Sequence, residues 1–279
     1  MPSKEAERAR VFKALHERDR LFVVPNPWDI GTARILEALG FEALATTSAG
    51  FAFSIGRRDR PDELTRDEAL RHARAIVNAT RLPVSADLAN GYGDKPEGVA
   101  ETIRLAARAG LAGASIEDAT GRPEEPIYPF ALAVERVAAA AEAARALKRP
   151  FKFTARAENY LYGKPDLDDT LKRLTAFSAA GADVLYAPGL ANIAEIRTVC
   201  QSVDKPVNVV MGLAGDSFTV RELEAAGVRR ITLGSSLVRA ALGAFLRAAR
   251  EIVDNGTFTF AGEAATSGEI EAFFAPPSE

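Results

Sequence analysis

Two stretches about thirty residues apart share a design suited to metal chemistry. In Pro83-Val84-Ser85-Ala86-Asp87-Leu88-Ala89-Asn90-Gly91-Tyr92-Gly93, a short apolar run stops at Asp87. Gly91 and Gly93 then let the chain turn at positive φ. In Gly113-Ala114-Ser115-Ile116-Glu117-Asp118 a second apolar run ends in carboxylates, and a Gly/Pro-rich loop follows. Acids at the ends of two neighbouring strands make a hard-oxygen site of the kind Mg²⁺ prefers, with Mn²⁺ as the alternative. The competing reading is that the acids only cap the next helices, but neither Asp87 nor Glu117 stands directly before its helix.

The elements that must position these acids alternate along the chain. A polar helix over 3–18 precedes eight strand–helix units. The strands fall at 21–24, 43–46, 83–87, 112–117, 151–155, 183–187, 206–210 and 229–233. The helices between them include 29–39, 66–79, 97–109, 131–148, 167–180, 191–202 and 218–226. Thr65 and Glu68 form a capping box before the helix at 66. A long loop joins the strand at 43–46 to that helix. Each strand is a continuous apolar run, as expected where both faces of a parallel sheet are covered. Ala38-Leu39-Gly40, Ala109-Gly110, Ala180-Gly181 and Ala226-Gly227 each close a helix just before a strand, a weak internal echo. Eight such units predict a single (β/α)8 TIM-type barrel over residues 1–279, ending in a helical tail at 236–279, with chemistry at the carboxyl ends of the strands. An open doubly wound sheet would need a glycine-rich phosphate turn after the first strand, and Pro25-Asn26-Pro27-Trp28 is not one.

On this topology one rim gathers Asn26, Trp28 and Asp29; Thr46, Thr47 and Ser48; Asp87; Glu117 and Asp118; Arg156; Tyr186; Asn208; and Gly234 with Ser235. The strand interiors read as almost wholly apolar, so polarity collects at one end, which points to an enzyme. Arg156 can grip a carboxylate with its planar fork or pair with Glu117 or Glu158. Thr47-Ser48-Ala49-Gly50 offers a hydroxyl and close backbone N–H groups to an anionic oxygen, or is an ordinary turn. Asn208 either binds a substrate carboxylate or ties adjacent strands, and Trp28 joins the substrate-binding set.

Composition excludes other classes. The chain has 279 residues, 47% of them hydrophobic, and a net charge of −3 with both signs interspersed. No basic stripe invites nucleic acid, and no apolar run reaches membrane-spanning length. The charged opening reads as a helix start rather than a signal peptide. One cysteine, Cys200, suits a reducing cytoplasm and permits no internal disulfide. His16 and His72 fall inside helices away from the rim and are expected to pack, so neither a Ser-His-Asp triad nor a zinc ligand set can be assembled. Proton transfer is left to tyrosine, a carboxylate, lysine or water.

Several segments together resemble the isocitrate lyase/phosphoenolpyruvate mutase superfamily. They are Ala45-Thr46-Thr47-Ser48-Ala49-Gly50, Ser54-Ile55-Gly56-Arg57-Arg58-Asp59, Val84-Ser85-Ala86-Asp87 with Gly91-Tyr92-Gly93, Ile116-Glu117-Asp118, Thr154-Ala155-Arg156 and Pro206-Val207-Asn208-Val209. The resemblance covers nearly the whole chain. It implies a barrel whose eighth helix swaps onto a neighbouring subunit in a dimer or tetramer. It also implies Mg²⁺ and small 2-oxo or 2-hydroxy acids as substrates. Asp87 matches the main metal carboxylate, Asp59 and Glu117 the acids around the metal's water shell, Ser48 with the Ala49 and Gly50 amides the carboxylate-binding turn, and Arg156 the substrate-gripping arginine. Asp59, Glu117 and Arg156 are accordingly the expected catalytic groups.

Two departures narrow the expected reaction. Ala89 stands where the family often has a second acid. The loop Ala119-Thr120-Gly121-Arg122-Pro123-Glu124-Glu125-Pro126-Ile127-Tyr128 has neither the Lys-Lys-Cys-Gly-His run of isocitrate and methylisocitrate lyases nor the asparagine of phosphonate-cleaving members. The favoured expectation is a Mg²⁺-dependent C–C lyase or decarboxylase on an oxaloacetate-like diacid, with Tyr128, Tyr160 or Tyr186 available to assist. The alternatives are P–C bond chemistry on a phosphonopyruvate-like acid and a non-catalytic 2-oxo-acid binding protein.

Overall fold

The computed structural model describes residues 3–60, 63–190, 192–213 and 217–275. Helix α1 (Lys4–Glu17) leads into β1 (Phe22–Val24), α2 (Ile30–Ala38), β2 (Leu44–Ala45), α3 (Ser48–Ser54), α4 (Arg66–Ala79), β3 (Val84–Asp87) and α5 (Pro96–Arg108). Then follow β4 (Gly113–Glu117), α6 (Phe130–Arg145), β5 (Lys152–Arg156), α7 (Leu167–Ala179), β6 (Val184–Tyr186) and α8 (Ile193–Ser202). The chain closes with β7 (Val207–Val210), α9 (Val220–Ala225), β8 (Arg230–Thr232), α10 (Ser236–Asn255), a 3-10 turn (Thr259–Gly262) and α11 (Ser267–Ala272). The start of the helix expected over 191–202 lies outside the described residues.

All eight strands are parallel, in the order β1-β8-β7-β6-β5-β4-β3-β2. The Ala45 N–H donates to the Pro25 carbonyl at 3.0 Å, joining the two ends of that order. The expected (β/α)8 barrel is therefore the fold. Short buried strands and amphipathic helices account for it: α5 buries Val99, Ile103 and Ala106 against the sheet while Glu101, Arg104 and Arg108 pair along its outer side. Thr65 and Glu68 form the expected capping box. Gly110 (φ 90°) and Gly181 (φ 106°), both from the internal echo, take the left-handed conformation that ends a helix where a side chain would strain it.

Two features differ from the sequence reading. The segment read as a long loop after β2 contains α3, capped by the Thr47 side chain. The strand interiors are also less apolar than expected: Ser85, Thr154, Asn208 and Arg230 are all buried within them. The floor is closed by α1, whose Phe12 and His16 rings meet Phe22 edge-on at 6.5 and 5.0 Å.

Helix α10 is 20 residues long, yet among the described residues only Val238 of it is buried. Leu242, Phe245, Leu246, Ile252 and Val253 are exposed along it. The tail returns to α2, where Arg34 lies over the Phe274 ring at 5.3 Å.

Candidate active site

Strand register sets one level across the barrel mouth. Glu117 of β4 is paired with Arg156 of β5, Arg156 with Tyr186 of β6, and Tyr186 with Asn208 of β7. Asp87, the last residue of β3, sits alongside. Arg156 is the hub. Its Nη1 lies 2.9 Å from Asp87 Oδ1, its Nη2 3.2 Å from Glu117 Oε2 and its Nε 2.7 Å from Glu158 Oε1. Both readings of Arg156 as an ion-pair partner thus hold together, with Asp87 added.

Asp59 stands behind this cluster, beside the Ser48 side chain and close enough to Asp87 and Arg156 to feel both charges. Four carboxylates, Asp59, Asp87, Glu117 and Glu158, therefore share one guanidinium. Burial and the Asp87 charge raise the Asp59 pKa. Burial, reinforced by Glu158 and Asp87 against the pull of Arg156, pushes Glu117 well up. Burial raises Glu158 in the same way. Burial alone would discharge Arg156, but Glu158, Glu117 and Asp87 outweigh it and hold the guanidinium charged.

This surplus of negative charge fits a divalent cation, and oxygen donors fit a hard one. Among the described residues no three acidic, histidine or cysteine side chains converge into a ready-made metal cage. A cation here would take one or two direct carboxylates and keep waters for its remaining positions. Ala89, in place of a further acid, takes φ 46° and donates its N–H to Asp87 Oδ1 at 3.3 Å.

The α3 entrance is only partly as expected. Ser48 donates from Oγ (3.1 Å) and from its backbone N–H (3.4 Å) to Asp87 Oδ2, and Ser48 and Ala49 line the central cavity. The Gly50 amide, expected to bind substrate, is instead taken by the Thr47 hydroxyl at 3.2 Å. Gly50 is required for space: a Cβ there would stand 2.5 Å from Thr47 Cγ2 and 3.1 Å from Trp28 Cβ. Trp28 correspondingly lies behind Gly50, outside the residues lining the cavity. Its main chain accepts a hydrogen bond from His72 (2.8 Å), which stacks on Phe51 at 4.1 Å.

Asn208 lines the cavity and also ties strands, donating to Thr232 Oγ1 at 3.0 Å and accepting from Arg230 Nε at 2.8 Å. Asp118 turns away from the mouth, bound by the Glu158 N–H (2.8 Å) and Arg173 (3.0 Å), with burial lifting its pKa to about 7.

Two connected spaces serve these groups. The inner cavity, about 180 Å³, reaches from Ser48, Asp87 and Arg156 down to Asn208, Arg230 and Thr232. The outer one, about 380 Å³, is ringed by Asp59, Asp87, Glu117, Glu158, Tyr92 and Tyr162. Of the tyrosines expected to assist, Tyr186 lines the inner cavity. Tyr128 is committed to Asp94 (2.5 Å), and Tyr160 reaches Glu195 at 3.4 Å.

The loop after β4 is strapped down. Ala119 and Ile127 bridge as a miniature antiparallel pair, and Arg122 pairs with Asp94 at 2.9 Å. Buried Arg136 lies 4.0 Å from the Tyr128 ring centre and donates to the carbonyls of Asn90, Gly93 and Asp94.

Tyr162 and Arg230 were not legible as site residues, and Glu158 was foreseen only as an ion-pair partner of Arg156. Glu158 and Tyr162 sit in a loop whose reach a sequence does not show. The one available signal for Arg230 was two successive arginines before a strand, of which alternation turns one inward.

Comparison with known proteins identifies the family. The family model described as phosphoenolpyruvate phosphomutase matches residues 12–253. A crystal structure of a candidate lyase/mutase from Burkholderia cenocepacia J2315 superposes with a TM-score of 0.95 at 57% identity, covering 98% of each chain. An oxaloacetate decarboxylase from Marinomonas sp. is 29% identical over 86% of this chain and 83% of its own. The 2-methylisocitrate lyase of Escherichia coli is 27% identical over 83% of this chain and 79% of its own. With the barrel, the carboxylate-ringed arginine and these relatives in hand, the chain belongs to the phosphoenolpyruvate phosphomutase family and is a lyase-type enzyme of the isocitrate lyase/phosphoenolpyruvate mutase superfamily.

Proposed function

We propose that this enzyme breaks a C–C bond in a small 2-oxo or 2-hydroxy dicarboxylic acid of the oxaloacetate type, with Mg²⁺ or Mn²⁺ as cofactor. The observation that carries this reading is one guanidinium held among Asp59, Asp87, Glu117 and Glu158 at the mouth of a small polar cavity. Asp87, Glu117 and Asp59 would hold the cation, directly or through its waters. When bound, it supplies Lewis-acid polarisation of the 2-oxo group.

The chain's own groups do the rest. Arg156 grips the carboxylate next to the reacting carbon and offsets the charge that develops as the bond breaks. Its three acidic partners fix the plane of the guanidinium, so its donors are aimed before the acid arrives. The Ala49 N–H completes the carboxylate seat, and Ser48, donating to Asp87 Oδ2, holds that carboxylate in place. In decarboxylation the leaving carboxylate departs as CO₂, the electron pair stays on the adjacent carbon, and a proton from solvent or Tyr186 completes pyruvate. Little acid–base machinery is needed, which matches a β4 loop without a cysteine acid. No loop donor stands ready for a phosphoryl group either: Arg122 is committed to Asp94 and Glu125.

The uncovered stripe of α10 supports docking on a second copy of the chain in a dimer or tetramer. Among the described residues no helix is long and apolar enough to cross a membrane, and the lone cysteine suits a cytoplasmic setting.

The test incubates the protein and Mg²⁺ with oxaloacetate, substituted malates and phosphonopyruvate, following pyruvate and phosphate release. Pyruvate formation that disappears in Asp87→Ala supports the reading. Phosphate from phosphonopyruvate alone would replace it with P–C chemistry, and binding without turnover of any acid would leave a binding protein.

A further inference from the structure

Deep in the barrel, β8 turns Arg230 inward with 4% of its surface exposed, and no carboxylate meets it among the described residues. Its nitrogens donate to Asn208 Oδ1 (Nε, 2.8 Å), Thr154 Oγ1 (Nη2, 3.0 Å) and His16 Nε2 (Nη1, 3.3 Å). His16 fits this role as a neutral ring, because its Nδ1 lies 2.7 Å from the Phe12 carbonyl and therefore carries the hydrogen.

Arginine has no acceptor, so the amide atom facing it must be the oxygen of Asn208. That turns Nδ2 toward Thr232 Oγ1, 3.0 Å away. The Tyr186 hydroxyl stands on the same cavity wall as Asn208 and Thr232. Donation thus runs one way, from Arg230 through Asn208 to Thr232. The Tyr186 O–H and the second Nδ2 hydrogen of Asn208 remain to be given. Arg230, Asn208, Thr232 and Tyr186 all line the inner cavity.

We propose that Arg230 is a positioning residue that makes the inner end of this cavity a donor-only receptor for the second carboxylate of a dicarboxylic substrate. The proposal rests on the reading of the mouth as a 2-oxo-acid site and adds which acids enter. The two ends are opposite in charge: surplus carboxylates lie at the mouth and an unbalanced guanidinium at the floor. A diacid places one carboxylate on Arg156 and the other on the Asn208–Tyr186 pair, where it also balances the buried cation. Donors polarised in series bind an anion more strongly than isolated ones. A monocarboxylate such as pyruvate fills only the outer seat.

Asn208→Asp, Arg230→Met and Arg230→Lys test this with Mg²⁺ present, using oxaloacetate as diacid and pyruvate as monoacid competitor. Asn208→Asp puts a carboxylate against Arg230 and presents only acceptors to the ligand. It should melt at or above the wild-type temperature, while its KM for oxaloacetate rises at least 100-fold and its inhibition constant for pyruvate changes less than 3-fold. Arg230→Met should raise the oxaloacetate KM at least 10-fold with a smaller change in kcat. Arg230→Lys, which still donates to Asn208 Oδ1, should recover most of that loss. A stable Asn208→Asp protein with the wild-type oxaloacetate KM overturns the proposal while the 2-oxo-acid reading survives. Wild-type protein indifferent to both acids overturns both.

Discussion

Replacing Asp87 by asparagine should separate stability from function. The side chain keeps its outline and an acceptor for Arg156, whose Nη1 lies 2.9 Å from Asp87 Oδ1. What disappears is one of four negative charges around one positive charge, together with the Oδ2 acceptor of the weak Ser48 N–H bond at 3.4 Å, while the Ser48 hydroxyl can turn to accept from the new amide. A pair of charges 4 Å apart is worth about 4 kcal/mol at an effective dielectric near 20. The lost attraction to Arg156 is therefore set against relief of repulsion with Asp59, Glu117 and Glu158, each of which the Asp87 charge makes harder to ionise. Arg156 retains Glu117 and Glu158, so the balance favours the variant, by about 1 kcal/mol without metal. For 279 residues that is about 2 °C in melting temperature. Mg²⁺ at a hundred times its Kd should stabilise the wild type by about 2.7 kcal/mol, or about 5 °C. It should leave Asp87→Asn unmoved, and kcat/KM should fall about 1,000-fold. Thermal melts in EDTA and in Mg²⁺, paired with oxaloacetate turnover, measure all three. A variant that loses 2 kcal/mol or more in EDTA, or that gains as much from Mg²⁺ as wild type, would refute the reasoning.

The remaining expectations concern pH and packing. Asp59, Glu117 and Glu158 have folded pKa values above their unfolded ones. The native state therefore binds protons more tightly, and metal-free stability should fall as pH rises from about 4 through the folded values; urea melts at pH 5 and 8 should show this slope and its flattening by Mg²⁺. His16 runs the other way: burial and the Arg230 charge lower its pKa from 6.5 to about 3, so its contribution is complete above 6.5 and lost as pH falls toward 3. His16→Gln, which keeps an acceptor for Arg230, should move the acid-unfolding midpoint to lower pH, as followed by circular dichroism. Arg136→Met strips the donors from the Asn90, Gly93 and Asp94 carbonyls. It should cost about 3 kcal/mol or more and expose the Glu124–Glu125 bond to a glutamate-specific endopeptidase, whereas the wild-type strap should resist.

The barrel was legible because eight apolar runs each stop at a polar residue, and parallel pairing leaves few other solutions. Asp87, Glu117 and Arg156 were legible for the same reason: a residue that ends such a strand must stand at the mouth. Side-chain direction was harder to read. Trp28 and Gly50 are beside the right strands, but one faces away and the other has its amide consumed by a cap. Helix α3 was hidden because Ser48-Ala49-Gly50-Phe51-Ala52-Phe53-Ser54 is short and carries no strong helix signal, and its cap and tertiary packing decide its form. Arg230 was invisible because an arginine at the edge of an apolar run reads as solvent-facing. Only the pairing of Arg230 with Phe22 and Asn208 shows it inside.

The fastened β4 loop has a kinetic consequence. In an enzyme whose flap swings aside, opening and shutting can set the pace of turnover. Here Tyr128, Arg122 and Arg136 pin that side of the doorway to the neighbouring β3 loop, and a cleft of about 670 Å³ between Leu64, Asp67, Tyr92, Glu117 and Arg122 stays open beside it, so traffic can pass while the strap stays fastened. Changes at Leu64 or Tyr92 on the cleft wall should alter how quickly product escapes, while changes to the anchors Tyr128 and Arg136 should register as lost folding stability.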